Sequence, residues 1–289
     1  MSGASSARLS DGRLHLQHGP IDVLVELFGA ASEVETGYAQ AAARFGSILP
    51  GLVMELPLLR QSLNGSHPLV RDPVAQAMLR AVWPHRRTFV TPMAAVAGAV
   101  ADTVLAAAVA GRRLERGYAN NGGDIALYLV AGESFDAGVV DRIDRPSIDA
   151  RVRIDAAHAI GGIATSGWRG RSHSLGIADA VTVLAGNAAE ADVAATLIAN
   201  AISIDSPAVE RRAASELDPD SDLGALPVTV AVGSLAPSEV AAALSSGQAR
   251  AVEMRDAGLI RAAYLSLAGA VRTVGSLSPA LPQQARREA

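Results

Sequence analysis

Three short stretches combine the residue types and spacings that handling a phosphorylated ligand requires. Asp192-Val193-Ala194-Ala195-Thr196 falls in a helical pattern. Residues four apart lie on one helix face, so this carboxylate and hydroxyl can approach one hard cation together. Mg2+ favours such oxygen ligands and completes its shell with water and phosphate oxygens. Asn120-Asn121-Gly122-Gly123-Asp124 lies between two strand-like runs. Its paired glycines can adopt positive φ and turn backbone N–H groups toward phosphate or ribose oxygens. Ala164-Thr165-Ser166-Gly167, followed by Arg169, Arg171 and His173, gathers hydroxyls, two guanidinium groups and an imidazole. Arginines suit a pyrophosphate through bidentate contacts, and His173 suits a base or a nucleotide contact.

Each stretch also has a plain structural reading. The Asp/Thr pair can be a solvated helix face, the Asn-Gly sequence is a strong hairpin signal, and the Arg-rich stretch can be a surface loop. Other chemistries fit less well. His15 and His18 are three apart in a strand pattern, which points them to opposite faces and makes a poor metal pair. Ser166 has Ala164, not glycine, two residues before it, against the pattern of a serine nucleophile on a sharp turn.

Composition removes whole classes. Every cationic side chain is arginine, which excludes a Schiff-base lysine, pyridoxal phosphate chemistry and a Walker-type phosphate loop. The absence of cysteine excludes disulfides and thiolate metal sites and is compatible with a reducing compartment. A net charge of −4, with the Arg pairs at 86/87, 112/113 and 211/212 scattered among acids, argues against nucleic acid as a partner. Met1–Ser10 lacks the apolar stretch of an export signal, so a cytoplasmic location is expected. Met93–Val109 carries Asp102 at its middle, where a charge costs about 3 kcal/mol in a bilayer, so a buried helix is expected and no membrane.

The elements that must position these residues can be read from pattern. At 289 residues and 49% hydrophobic, with 3% aromatic, the chain suits close helix-on-sheet packing by Ala, Val, Leu and Ile. Ile21, Val23, Val25 and Leu27 alternate as a strand after the His18-Gly19-Pro20 break, and a further strand precedes that break. Helices are expected over Ala31–Leu49, stopped by Pro50-Gly51, over Pro73–Val82, and over Thr91–Gly111. Short strands at Tyr118–Asn121, Ile125–Val130, Ala150–Asp155, Ala159–Ser166 and Asp179–Ala185 should form the central sheet. Ala188–Ile202 reads as a helix, Pro227–Val232 as a strand, and Pro237–Ser245 and Ala249–Leu267 as closing helices. No repeat or linker divides the chain, so one domain is expected over 11–274, with flexible ends at 1–10 and 275–289. The apolar run Ile48–Leu59 offers a homodimer surface.

Taken in order, these segments resemble the ApbE family of flavin transferases. Val96-Ala97-Gly98-Ala99-Val100-Ala101-Asp102 resembles the family's helical Ala-Lys-Gly-Tyr-Ala-Val-Asp motif, with Ala97 in place of the lysine. Asn121-Gly122-Gly123-Asp124-Ile125 is similar to its Asn-x-Gly-Gly-Asp turn. Ser166-Gly167 and His173 fall where the family has its Ser-Gly and His segment, rewritten here as His173-Ser174-Leu175-Gly176-Ile177-Ala178-Asp179. Ala191–Thr196 resembles the Ala-Asp-Ala-x-Ala-Thr metal motif. The likeness spans roughly residues 90–200 and is nearest to a smaller cytoplasmic branch of bacteria and archaea.

The resemblance implies an α+β, T-fold-like arrangement of mixed sheets packed with helices in a single compact unit. It implies Mg2+ at Asp192 and Thr196, and FAD or a related flavin nucleotide near Asn121, Gly122, Gly123, Asp124, Ser166, Gly167 and Arg171. His173, with Asp179 second, would serve as base, and a protein hydroxyl would be the acceptor of FMN. A cofactor-biosynthesis enzyme of different activity on the same scaffold, and a noncatalytic binding protein, remain as alternatives, because sites rather than folds set function.

Overall fold

The computed structural model describes residues 3–63, 67–139, 150–170 and 172–275. They form an α+β structure that divides into two compact units. The first comprises Met1–Ser134, Asp155–Ala164 and Ala185–Val193, and the second Phe135–Ile154, Thr165–Leu184 and Ala194–Ala289.

In the first unit, β1 (Ser5–Arg8), β2 (Leu14–His18), β3 (Ile21–Gly29), β4 (Leu114–Asn121) and β5 (Asp124–Leu129) follow one another as antiparallel neighbours. The expected alternation on β3 is realised, since Ile21, Val23, Val25 and Leu27 are buried while Asp22 is exposed. Their side of the sheet is covered by α1 (Ala31–Phe45) and α4 (Val96–Val109). Small residues bring these layers together. At Gly117 a Cβ would strike the Leu27 side chain, and at Gly37 it would press on the Ala108 carbonyl, so a larger residue at Gly37 would force α1 and α4 apart.

Between them lie α2 (Ile48–Leu59) and α3 (Pro73–Val82). Asp72 caps α3 by accepting from the Val74 and Ala75 N–H groups at 2.8 and 3.2 Å, with Pro73 at the first helical position. The expected stop at Pro50-Gly51 does not occur. The first helix ends at Phe45, and Pro50 sits in the first turn of α2, where its missing N–H has no intrahelical partner to lose. Helix α2 buries Ile48, Leu52 and Leu59 and leaves an outer stripe of Pro50, Val53, Met54, Pro57 and Leu58 exposed.

In the second unit, β9 (Ala180–Ala185), β12 (Ala262–Leu267) and β13 (Ala270–Val274) pair antiparallel, with α7 (Pro237–Asp256) packed on β12 and β13, while β10 (Val209–Ala213), followed by the short α6 (Ala214–Leu217), pairs antiparallel with the expected strand β11 (Pro227–Val232). Ala249–Leu267 is therefore not a helix. One helix runs from Pro237 to Asp256, Gly258 at φ 75° ends it, and Ala262–Leu267 is a strand buried at every position. A run that is apolar at all but Ser266 carries no period to tell strand from helix. A second correction concerns Ala150–Asp155 (β7), which pairs with β6 (Ser134–Val139) in a separate two-stranded sheet and not in the main one. Strand β8 (Gly162–Ser166) and helix α5 (Ala188–Ala201) each contribute residues to both units.

The first turn of α5 is pressed against α4 and β8. A Cβ on Gly98 would collide with the Ala188 carbonyl, and one on Gly162 with the Asn187–Ala188 peptide. Gly98→Ala should therefore destabilise the protein by about 1–3 kcal/mol through overpacking, although helix propensity alone favours alanine by about 1 kcal/mol. Denaturant melts of the variant decide the sign.

Candidate functional site

The site in the first unit is built where two helix starts meet a strand turn. Helix α5 opens with four N–H groups that lack intrahelical partners. Asp102, on α4, accepts from two of them, Ala188 N–H through Oδ1 and Ala189 N–H through Oδ2, both at 2.9 Å. Asn187 takes a third, its side-chain oxygen accepting from Glu190 N–H at 2.8 Å, while its carbonyl accepts the first regular bond of the helix, from Ala191 N–H at 3.1 Å. The exchange is mutual. Asp192, on α5, accepts from Gly98 N–H at 3.0 Å in the first turn of α4, and Ala97 N–H reaches it as well.

The glycine-rich turn joins this arrangement. Asn121 and Asp124 pair across a two-residue hairpin, with Gly122 at φ 68° and Gly123 at φ 112°, a conformation that nearly only glycine takes at both positions. Asn120 Oδ1 accepts from Gly123 N–H at 2.9 Å, so that amide is already spent inside the turn. Asn121 donates from Nδ2 to the Ala97 carbonyl at 3.1 Å, which ties the turn to the start of α4. The hairpin reading and the ligand reading thus fall on the same residues.

Electrostatics single out the same place. Burial pushes the Asp192 carboxyl well above its ordinary value, and the Asp124 charge adds to the rise, against the pull of the Gly98 and Ala97 amides. Asp102 is pushed up to about 6, again mainly by burial, with the Ala188 and Ala189 amides opposing and the Glu190 charge adding. Among the described residues neither Asp102 nor Asp192 pairs with an arginine, and no three His, Cys, Asp or Glu side chains form a ready metal cage. A cation at Asp192 would thus draw on few protein oxygens and on its ligand's phosphates, as Mg2+ commonly does. Thr196 lies one turn further along α5 and is partly exposed.

The second unit holds the remaining candidates. Ser166 ends β8, and Gly167 lies so close to Asp179 that a Cβ would strike the Asp179 carbonyl. Asp179 is engaged at both oxygens. Oδ1 accepts from Arg169 Nε at 3.3 Å and Oδ2 from Ala268 N–H at 2.6 Å in the β12–β13 turn. It acts here as a latch between loops. Arg169 also stacks 4.2 Å above the Trp168 ring. His173 is exposed and makes no side-chain hydrogen bond with the described residues, while its neighbours are fixed. Asn200 Oδ1 accepts from Leu175 N–H at 3.0 Å and from the Ser174 hydroxyl at 3.3 Å, and a Cβ on Gly176 would collide with the Ala199 carbonyl. Arg171 lies outside the described residues. His15 and His18 behave as strand histidines on opposite faces, one beside Asp22 and the other buried next to Phe45.

Sequence reading missed what Asp102 does. Two signals were present: Asn187-x-x-Glu190 ahead of an Ala-rich run is a helix-start signature, and Gly98 sits four residues before Asp102 on the facing helix.

An α+β chain with a carboxylate-lined meeting of two helix starts beside a Gly-Gly hairpin is the class that these elements define. Residues 6–273 match the model of the AbpE_bact family, described as AbpE bacteria, and the chain belongs to that family. Among curated proteins it is similar to the UPF0280 proteins of Methanopyrus kandleri, 40% identical over 141 residues, covering 48% of this chain and 54% of that protein. It is likewise similar to that of Methanocaldococcus jannaschii, 39% identical over 121 residues, covering 39% and 45%. The chain thus spans about half the length of the curated relatives it matches. Among solved structures it is similar to the apo form of flavinyl transferase ApbE from Pseudomonas stutzeri, with TM-score 0.45, 12% identity, and 94% and 93% of the two chains covered. The apbe protein of Thermotoga maritima gives TM-score 0.36 at 13% identity, covering 85% and 76%.

The direction of the Asp102 shift has a measurable sign. Its carboxyl binds a proton more tightly folded than unfolded, so its contribution to stability is full below pH about 4 and is lost as pH rises through about 6. Measured against Asp102→Asn across that window, the wild-type protein should lose relative stability as pH rises. A difference that stays flat would show that the two amide bonds outweigh burial.

Proposed function

We propose that this protein binds a flavin dinucleotide, FAD or a close relative, together with Mg2+, and transfers the FMN moiety to a hydroxyl of an acceptor protein. Family membership supports the ligand class. The observation that carries the reading is the Asp192 carboxylate held on the first turn of α4, the same turn to which Asn121 ties the Gly122-Gly123 hairpin. A carboxylate held this way attracts a proton or a cation, and a divalent ion beside a pyrophosphate relieves its charge.

In this reading Asp192 and Thr196 offer oxygens to the cation, and the Asn121–Asp124 turn lies against the dinucleotide. Bound Mg2+ would neutralise pyrophosphate charge. The acceptor oxygen forms a bond to the FMN phosphorus, the pyrophosphate bridge breaks, and AMP departs. The hydroxyl proton passes to a base, for which His173 is the candidate with its side chain still uncommitted among the described residues. Asp179, with both oxygens engaged, is the weaker of the two. Residues of the second unit enter this reading through the family resemblance alone. As expectations beyond it we keep a cytoplasmic location and a homodimer.

A second reading, a different cofactor-processing reaction on the same scaffold, is favoured by the commitment of Asp179 and by Ala97 standing in place of the family's lysine.

Titration of the purified protein with FAD and Mg2+ tests the first reading. Binding is expected at micromolar FAD and should weaken by about tenfold or more, some 1.4 kcal/mol, in Asp192→Ala. No binding at high micromolar FAD would defeat the proposal, while binding without AMP release in the presence of hydroxyl-bearing protein acceptors would favour the second reading.

A further inference from the structure

Asp102 is the one carboxylate of the cluster whose two oxygens are both seen to be spent on helix amides, and its bonds fall on the segment that carries Asp192. Ala188 and Ala189 are the first two residues of α5, and Asp192 follows within one turn. The return bond from Gly98 N–H to Asp192 closes a ring running from α4 through Asp102 to α5 and back through Asp192. Gly98 and Gly162 hold the same turn from two sides by contact, so its position depends on fit as well as on polar bonds.

We infer that Asp102 is a positioning residue for the cation site: it does not ligate, but fixes the first turn of α5 so that Asp192 is presented at the start of α4. This rests on the cation reading given above. Three features separate it from a ligand role. Both Asp102 oxygens already accept N–H groups at 2.9 Å. Those two amides belong to the helix bearing the proposed ligand. Asp192 in turn bonds the helix bearing Asp102, so loss of one bond should loosen the other. Outer carboxylates that orient a ligand commonly change metal affinity by about 10–100-fold when removed.

The test compares two caps on the same helix start. Asp102→Ala removes the acceptor of Ala188 and Ala189, whereas Asn187→Ala removes the side-chain acceptor of Glu190 and leaves the ring intact. Hydrogen exchange of the amides is followed together with the affinity for Mn2+, used as a spectroscopic probe with FAD present throughout to supply the pyrophosphate oxygens. In Asp102→Ala, exchange should quicken at Ala188 and Ala189 and also at Gly98, on the other helix, and Mn2+ affinity should fall by about tenfold or more. In Asn187→Ala, exchange at Gly98 should be unchanged and Mn2+ affinity should stay within about threefold of wild type. Should Asp102→Ala not fold, Asp102→Asn keeps one acceptor and should give the same pattern at reduced size. Unaltered exchange at Gly98, or equal losses of Mn2+ affinity in the two caps, overturns the inference. If wild-type protein binds no Mn2+, the cation reading fails and the positioning role falls with it, whereas the Gly98 exchange still reports separately whether the ring exists.

Discussion

The exchange of carboxylates between α4 and α5 is the constraint on which the first unit's site depends. Each helix begins with amides that have no partner of their own, and each supplies the other with an acidic acceptor. The exchange requires the helix starts to approach closely, which explains Gly98 where a helix would ordinarily prefer alanine. It also explains why Asp192 tolerates being half-buried despite the cost. A carboxylate with amide donors is tolerable in such a place, and the Gly98 amide supplies one.

The hairpin of β4 and β5 serves the same end from the sheet side. Gly122 and Gly123 permit a turn too tight for other residues, and Asn121 hooks it to the start of α4. Its backbone is largely occupied with its own closure, as the Asn120–Gly123 bond shows. The turn therefore contributes placement of Asp124 more than a cradle of free amides.

Much of this was legible in the sequence, for reasons that can be named. The alternation on β3, the glycine just past the end of α4, the Asn-Gly turn and the Asp192/Thr196 spacing all record local geometry, which is what sequence pattern encodes, whereas Pro92 opens a 3-10 turn ahead of α4 and not the helix itself. Errors arose where the pattern carries no period or where tertiary packing overrides a local rule. Ala262–Leu267 is apolar at nearly every position and was indistinguishable from helix, and Pro50 proved to begin a helix instead of stopping one. The partnership of Asp102 with Ala188 spans 86 residues, a relation that spacing along the chain cannot reveal.

The Asn121-Gly122 step has a chemical side. Asparagine followed by glycine is the sequence most open to cyclisation on the next backbone nitrogen, which ends in loss of the side-chain amide. Asn121 uses that amide to hold the Ala97 carbonyl. Ageing of the protein at this one bond would exchange a donor for an acid facing a carbonyl oxygen and bring another negative charge to a place already rich in them. Deamidation at this step would thus act on the junction of the hairpin with α4, and mass spectrometry of the peptide that carries Asn121 would see it as a gain of about one dalton.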